Sequence, residues 1–252
     1  STHGAIRKKS KNIFKRKGWG HKDMIASATT FLPPSPLFSD ISGLVHGITT
    51  RSAGDMRSSQ NRTAVLSNFR LGAYPLVWLT QMHGNGVIAF HSDVPTGKSL
   101  ENDGAVTNKR GVVLAVHVGD CVPVLFVDPV QRIIGVAHAG WRGTLAEISR
   151  ILIDSMKSLG STPPDVRVFM GPHIGMCCYT VPPARAQQFQ KQFPGRDDVA
   201  SFEGGAWHVD IGKANVLTLL AAGIRAEHID APVSCTSCQV DRFFSYRKDA
   251  KN

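Results

Sequence analysis

Short apolar runs of strand length alternate with segments of helical period through the middle of the chain. Residues 112–118, 122–127 and 133–137 are rich in β-branched side chains, and glycine, aspartate or proline bounds each run, as is typical of buried strands. Residues 166–170 and 207–211 predict two further strands. This alternation predicts an α/β protein in which helices cover the sheets.

The period of the hydrophobic positions changes after residue 143. Five apolar side chains then lie on one face of a predicted helix over residues 144–159: Leu145, Ile148, Leu152, Met156 and Leu159. Thr144 and Glu147 match a capping box at the start of this helix, and Gly160 suits its end.

Residues 183–193 and 213–222 predict two more helices. None of the predicted helices follows a glycine-rich phosphate-binding loop, because the sequence contains neither G-x-G-x-x-G after a strand nor G-x-x-x-x-G-K-[ST]. The pattern therefore argues against a doubly wound dinucleotide fold and against a P-loop nucleotide site.

The composition is that of an ordinary globular protein, with 252 residues, 42% hydrophobic and 19% charged. No stretch of about 18 apolar residues predicts a transmembrane helix.

The formal net charge of +10 is concentrated in residues 1–22, which hold eight basic residues and no acidic one. We predict a basic arm and linker over residues 1–36 and one domain over residues 37–252. The arm suits weak contact with nucleic acid or an anionic surface, although a solvated tail explains it more simply.

Five cysteines do not form the pattern of a disulfide framework, because their number is odd and they include a vicinal pair, Cys177 and Cys178. Without a predicted signal peptide, we expect a reducing, cytoplasmic location. Cys235 and Cys238 have the spacing of half a zinc site, but the sequence has no second C-x-x-C. We therefore interpret these four cysteines as thiols of the core or of the neighbourhood of a site.

Three candidate metal ligands follow predicted strand ends or turns: His83, Cys121 and His138. Two imidazoles and one thiolate suit Zn²⁺, and three protein ligands leave a fourth position for water or substrate. Zinc in such a site lowers the pKa of its water enough to supply hydroxide near neutral pH, and copper would also accept this ligand set. The spacing alone is weak evidence for a metal site, because it also fits a buried core thiol and two hydrogen-bonded surface histidines.

The segments around these residues resemble the laccase-domain family, also known as the multicopper polyphenol oxidase or peptidoglycan-editing-factor family. The resemblance extends over about residues 44–249. The matching segments are residues 46–51 (HGITTR), 81–84 (QMHG), 103–107 (DGAVT), 119–123 (GDCVP), 136–144 (VAHAGWRGT), 171–179 (GPHIGMCCY), 235–238 (CTSC) and 243–247 (FFSYR). The loop after residue 51 is shorter than is usual in the family.

The resemblance implies a single α/β domain with a four-layer αββα sandwich, similar to the fold of toxin-type cysteine hydrolases. It also implies that His83, Cys121 and His138 are the metal-binding and catalytic residues. The activity implied is metal-dependent phosphorolysis of adenosine, inosine, guanosine and methylthioadenosine, together with adenosine deamination. Because guanidinium groups match phosphate oxygens, we predict that Arg51 and Arg247 bind substrate and interpret Arg142 as structural.

Three other functions remain open from the sequence. The first is a copper polyphenol oxidase (laccase), although the absence of any H-x-H pair favours a single metal over several coppers. The second is a hydrolase that edits peptidoglycan precursors with Cys121 as nucleophile. The third is a scaffold that binds a partner protein and acts through its arm. For the metal-dependent enzyme, elemental analysis is expected to find about one zinc per chain.

Overall fold

The computed structural model describes residues 30–33, 35–94 and 100–250. Most of the predicted arm, residues 1–29, lies outside the described residues, and its extent stays a prediction. The end of the predicted linker packs against the domain, since Phe31 forms a β-bridge with Thr49. Phe38, at the start of the predicted domain, is buried beside Phe169.

The described residues contain twelve β-strands and six α-helices. The strands are β1 Leu76–Thr80, β2 Val87–Phe90, β3 Leu100–Glu101, β4 Gly104–Thr107, β5 Val113–Ala115, β6 Val122–Asp128, β7 Ile133–Ala139, β8 Arg167–Met170, β9 Thr180–Val181, β10 Ala200–Glu203, β11 Ala206–Val209 and β12 Ile229–Asp230. The helices are α1 Ser59–Asn68, α2 Trp141–Leu145, α3 Ile148–Ser158, α4 Pro183–Gln192, α5 Ile211–Ala221 and α6 Tyr246–Asp249.

A mixed six-stranded sheet in the order β12-β8-β6-β7-β4-β2 forms the centre of the α/β domain. Its four middle strands, β8, β6, β7 and β4, pair antiparallel with one another, whereas the edge strands β12 and β2 pair in parallel with β8 and β4. Nearly every residue of β6 is buried, as expected for a strand covered on both faces. The central antiparallel pairs agree with the sequence evidence against a doubly wound fold.

Both faces of this sheet are covered. Helix α3 packs on β7, β4 and β2, and α5 packs against α3. On the opposite face, Val77 and Leu79 of the small parallel sheet β3-β1-β5 contact Ala105 and Val136. A third sheet, β10-β11-β9, is antiparallel. Within the residues that the structure describes, no helix combines the length and apolarity needed to cross a bilayer.

The predicted long helix is present, but it begins later than expected. Its apolar face is confirmed, with Ile148, Leu152 and Met156 fully buried. The predicted capping box is wrong because α2 and α3 are separate helices. Glu147 joins them in the left-handed region with φ 56°, and its side chain caps no backbone N–H. The predicted end at Gly160 is confirmed, since its φ of 103° turns the chain out of the helix.

Candidate functional site

The structure brings His83, Cys121 and His138 together, with one donor atom from each within 4.8 Å of the others. His83 lies in the turn after β1, Cys121 directly before β6, and His138 near the end of β7. The antiparallel register pairs Val122 with Ala139, which places the start of β6 beside the end of β7. Sheet pairing, not sequence spacing, therefore assembles the three side chains, called the His-Cys-His trio below.

One buried carboxylate positions both histidines of the trio. Asp103 is 1% exposed, and its Oδ1 lies 2.8 Å from His138 Nδ1. Its two oxygens also accept the backbone N–H groups of Met82, His83 and Gly84 at 3.1, 2.9 and 2.7 Å. If His138 Nδ1 donates its proton to this carboxylate, Nε2 is left as the nitrogen available to a metal. The same bonds hold His83 in the left-handed region, at φ 58°.

The electrostatics of the site suit metal ligation better than free-thiol chemistry. Burial, then the neighbouring His138 and Arg142, lower the pKa of His83, so its imidazole is neutral and able to bind a metal at pH 7. Burial and two acidic neighbours raise the pKa of the Cys121 thiol to about 12. Without a cation beside it, Cys121 is therefore protonated and poorly suited to act as a nucleophile.

Gly140 is in close contact with the trio, and a side chain there would fit only if the neighbouring Cys121 moved. A Cβ at this position would lie 3.0 Å from Cys121 Sγ and 3.5 Å from His83 Cδ2. Gly140→Ala is therefore expected to lower turnover about tenfold or more by displacing Cys121 and His83, as steady-state kinetics would measure. Gly72→Ala is the matched control, because its Cβ would approach only Ser67 Oγ, at 3.8 Å. Equal activity in both variants would contradict the packing of Gly140 against the site.

The sequence interpretation also missed Asp120, which holds the backbone next to Cys121. Asp120 lies in the left-handed region with φ 85° and is nearly buried. Its carboxylate accepts Thr236 Oγ1–H at 2.6 Å and the backbone N–H of Arg247 at 2.7 Å. Its carbonyl accepts the N–H of Ile174 at 2.9 Å. The C-terminal segment is thus anchored one residue from the trio.

Of the two arginines predicted to bind substrate, Arg51 is held by groups of the protein. Its guanidinium donates to both oxygens of Asp249, at 2.9 and 2.7 Å, and to the carbonyl of Phe243 at 3.0 Å. It also lies over the ring of Phe244, 4.3 Å from the centroid. A phosphate at Arg51 would have to compete with the Asp249 carboxylate, and the substrate role of this residue stays a prediction.

Three guanidinium groups near the trio form no ion pair with a carboxylate among the described residues: those of Arg142, Arg185 and Arg247. Arg142 and Arg185 lie over Trp141, 4.5 and 4.1 Å from its ring centroid. Arg247 lies 5.3 Å from the ring centroid of Tyr179 and donates to backbone and hydroxyl oxygens nearby. This arrangement, called the arginine cluster below, carries positive charge that an anion is able to neutralise.

A shallow open groove of 590 Å³ runs between α2 and α4, from Trp141 and Arg142 to Lys191. It meets the arginine cluster at Arg142, while the trio itself does not line it. Arg142 is an exposed cation at the start of α2 whose charge lowers the pKa of His83, and its interpretation as a structural residue stays a prediction.

The other four cysteines also come together. One sulfur from each of Cys177, Cys178, Cys235 and Cys238 lies within 4.8 Å of the others. A bridge between His173 and Cys235 brings the two sequence-distant pairs side by side. The interpretation of these thiols as belonging to the core or to the neighbourhood of a site stays a prediction.

Comparisons with known proteins match most of the chain. The profile of the family described as "Multi-copper polyphenol oxidoreductase laccase" matches residues 49–252. A protein named purine nucleoside phosphorylase YlmD, from Geobacillus stearothermophilus, is 34% identical over 240 residues, covering 82% of this chain and 86% of the relative. A protein named adenosine deaminase RL5, from an unknown prokaryotic organism, is 34% identical over 148 residues, covering 58% and 56%. The crystal structure of the Geobacillus YlmD superimposes with a TM-score of 0.78 and 30% identity, covering 89% of this chain and 93% of that one.

Proposed function

Because the chain belongs to the laccase-domain family, we propose that this enzyme is a metal-dependent purine nucleoside phosphorylase with adenosine deaminase activity. The proposed substrates are adenosine, inosine, guanosine and methylthioadenosine, with inorganic phosphate as the second substrate. The observation that carries the proposal is the His-Cys-His trio, held by Asp103 and adjoining an arginine cluster without acidic partners. Names of relatives, one a phosphorylase and one a deaminase, support the same pair of reactions.

The family implies metal binding, and the trio fits a metal by its donor chemistry. His83, Cys121 and His138 would hold the ion, and we propose zinc, with copper as the alternative. When bound, zinc supplies a Lewis acid that activates water and polarises a substrate oxygen. Asp103 serves this site by fixing the ring orientation of His138 and the turn that presents His83.

The arginine cluster is proposed to bind phosphate. In phosphorolysis a phosphate oxygen forms a bond to C1′ of the ribose while the bond from C1′ to N9 of the purine breaks. The products are ribose 1-phosphate and a purine base, which takes up a proton. Arg142, Arg185 and Arg247 would neutralise and orient the phosphate, and Arg51 would join them if Asp249 releases it.

Deamination uses water instead of phosphate as the nucleophile, in the same proposed site. Water adds at C6 of adenosine, ammonia leaves, and inosine is the product. The buried, water-poor side of the trio is formed by Gly140 and His138, whereas His83 is exposed. Substrate would therefore approach from the His83 side, where the groove and Arg142 also lie.

The description of the family as a multicopper oxidoreductase favours one alternative, a phenol oxidase. Two imidazoles and a thiolate are also the ligands of mononuclear blue-copper sites. A laccase needs several coppers, however, and the second candidate metal group in the described part of the chain contains only thiols. Oxygen-dependent oxidation of a phenol by copper-loaded protein, without turnover of nucleosides, would establish this alternative.

The decisive experiment incubates the purified full chain with inosine or adenosine, with and without phosphate, and separates the products. Phosphorolysis releases hypoxanthine or adenine only when phosphate is present, and deamination converts adenosine to inosine in either case. Arg142→Ala is expected to raise the KM for phosphate about tenfold, whereas Arg150→Ala, which removes two surface ion pairs, leaves it unchanged. Base release that does not depend on phosphate would overturn the phosphorylase assignment.

Three further proposals concern the layers of the fold, the cellular location and the basic arm. A four-layer αββα arrangement is supported by the order of α3, the main sheet, the β3-β1-β5 sheet and α1, whose Arg62 lies over Trp78 of β1. A cytoplasmic location is supported by five free cysteines. Weak contact of the basic arm with nucleic acid or anionic surfaces rests on the charge of residues 1–22 alone.

A further inference from the structure

We propose that Cys177, Cys178, Cys235 and Cys238, called the four-cysteine cluster below, form a second, structural zinc site. Four thiolates around one ion satisfy the tetrahedral preference of Zn²⁺ and leave no open position, as in structural zinc sites. The inference concerns residues outside the trio and does not rest on the proposed activity.

The sulfur positions fit such a site. Cys177 Sγ lies 3.8 Å from Cys178 Sγ and 3.7 Å from Cys238 Sγ, and the latter two sulfurs are 3.3 Å apart. Zn–S bonds of about 2.3 Å in a tetrahedron place neighbouring sulfurs about 3.8 Å apart. All four residues are free cysteines, since a disulfide would bring two sulfurs to about 2.05 Å. The cluster therefore already has nearly the dimensions of a zinc-thiolate site.

The backbone around the cluster is built to bring the two cysteine pairs together. Cys235 and Cys238 flank a tight turn, and the backbone N–H of Gly175 donates to Cys235 Sγ at 3.2 Å. A Cβ at Gly175 would lie 3.3 Å from Cys235 Cβ and 3.4 Å from Cys177 Sγ, so a side chain there would push the pairs apart. Cys177 and Cys238 are exposed, which leaves the ion a path of entry.

A zinc ion here would join two segments that complete the functional site. The first carries Cys178, whose carbonyl accepts a hydrogen bond from Arg247 at 3.2 Å. The second leads from Cys238 to Arg247, whose own N–H is bonded to Asp120 beside the trio. The ion would thus fix the position of one guanidinium of the arginine cluster. Because it crosslinks residues about 60 positions apart, it would also stabilise the native fold.

Zinc content tests the proposal directly. Protein produced in zinc-supplemented medium, and purified under reducing conditions without chelator or nickel resin, is analysed by inductively coupled plasma mass spectrometry. Wild type is expected to hold about two zinc ions per chain, one more than the trio alone would bind. The double variant Cys177→Ser and Cys238→Ser should hold about one, because serine is a poor zinc ligand. His83→Ala, which removes a ligand of the trio only, should also hold about one, and the triple variant none.

Cobalt substitution then identifies which site was lost. Cobalt bound by four thiolates gives stronger sulfur-to-metal charge-transfer absorption than cobalt bound by one, and the strong band should persist in His83→Ala. It should disappear in the double cysteine variant.

Wild-type zinc content in that variant, copper in place of zinc, or a Cys178–Cys238 disulfide in the purified protein would overturn the proposal. If the variant fails to fold, the wild-type zinc count and cobalt spectrum still decide. A protein without nucleoside turnover but with two zinc ions would refute the proposed function only.

Discussion

Replacing Cys121 with serine is expected to remove the metal of the His-Cys-His trio and to lower phosphorolysis of inosine at least about a hundredfold. A hydroxyl is a much poorer zinc ligand than a thiolate, and two histidines alone bind zinc weakly. The structure also supplies no substitute, since the trio is the only candidate metal group at this place among the described residues. Metal content and kcat/KM for inosine measure the two losses.

The control for this variant separates ligand loss from core damage. Val124→Thr places a hydroxyl on β6, the strand that follows Cys121, at a fully buried position outside the trio. It is expected to lower the melting temperature but to keep metal and turnover. If Cys121→Ser behaved in the same way, with its metal retained and its specific activity near that of wild type, Cys121 would be a packed core thiol.

Asp103→Asn is expected to lower metal affinity or turnover about ten- to a hundredfold without removing any ligand. One carboxylate oxygen faces the His83 N–H and His138 Nδ1, and the other faces the Met82 and Gly84 N–H groups. An amide has only one oxygen, so its NH₂ group must point at donors on one side or the other. Either arrangement disturbs a histidine. Metal titration and steady-state kinetics with inosine measure the loss.

Asp128→Asn is the matched control for Asp103. Asp128 is also a fully buried carboxylate that accepts backbone N–H groups, those of Val130 and Gln131, but it lies at the far end of β6. Its variant is expected to lose stability and to keep the metal affinity of wild type. Similar losses of metal affinity in both variants would show that Asp103 acts through general stability rather than by positioning the histidines.

Much of the fold was predictable because its central strands and its long helix have clear periods. The nearly continuous apolar run of β6 and the buried face of α3 appear directly in the sequence. The junction at Glu147 was not predictable, because Thr144 and Glu147 have the spacing of a capping box whether or not one helix spans them. Tertiary packing decided the outcome: Thr144 Oγ1 instead accepts a hydrogen bond from Asn215 of α5.

The site was predictable only in part. The resemblance indicated the trio, whereas Asp103 and Asp120 carried no signal of their role, since a buried carboxylate is recognised by its partners in space. Arg185 was missed for the same reason: α4 brings it over Trp141, 44 positions earlier in the chain. The four-cysteine cluster was not predictable, because zinc sites are usually recognised from two spaced pairs, and here one pair is vicinal.

The long-range hydrogen bonds of Asp120 have a consequence for the time at which the site forms. This residue holds an unfavourable left-handed backbone next to Cys121, and its carboxylate partners lie 116 and 127 positions further along the chain. Contacts of such separation form late, because closing the intervening chain costs entropy before the bonds are gained. The strands of the sheet can therefore pair before Cys121 reaches its final orientation. Loading of the proposed ion would then be one of the last events of folding, after the C-terminal segment has docked.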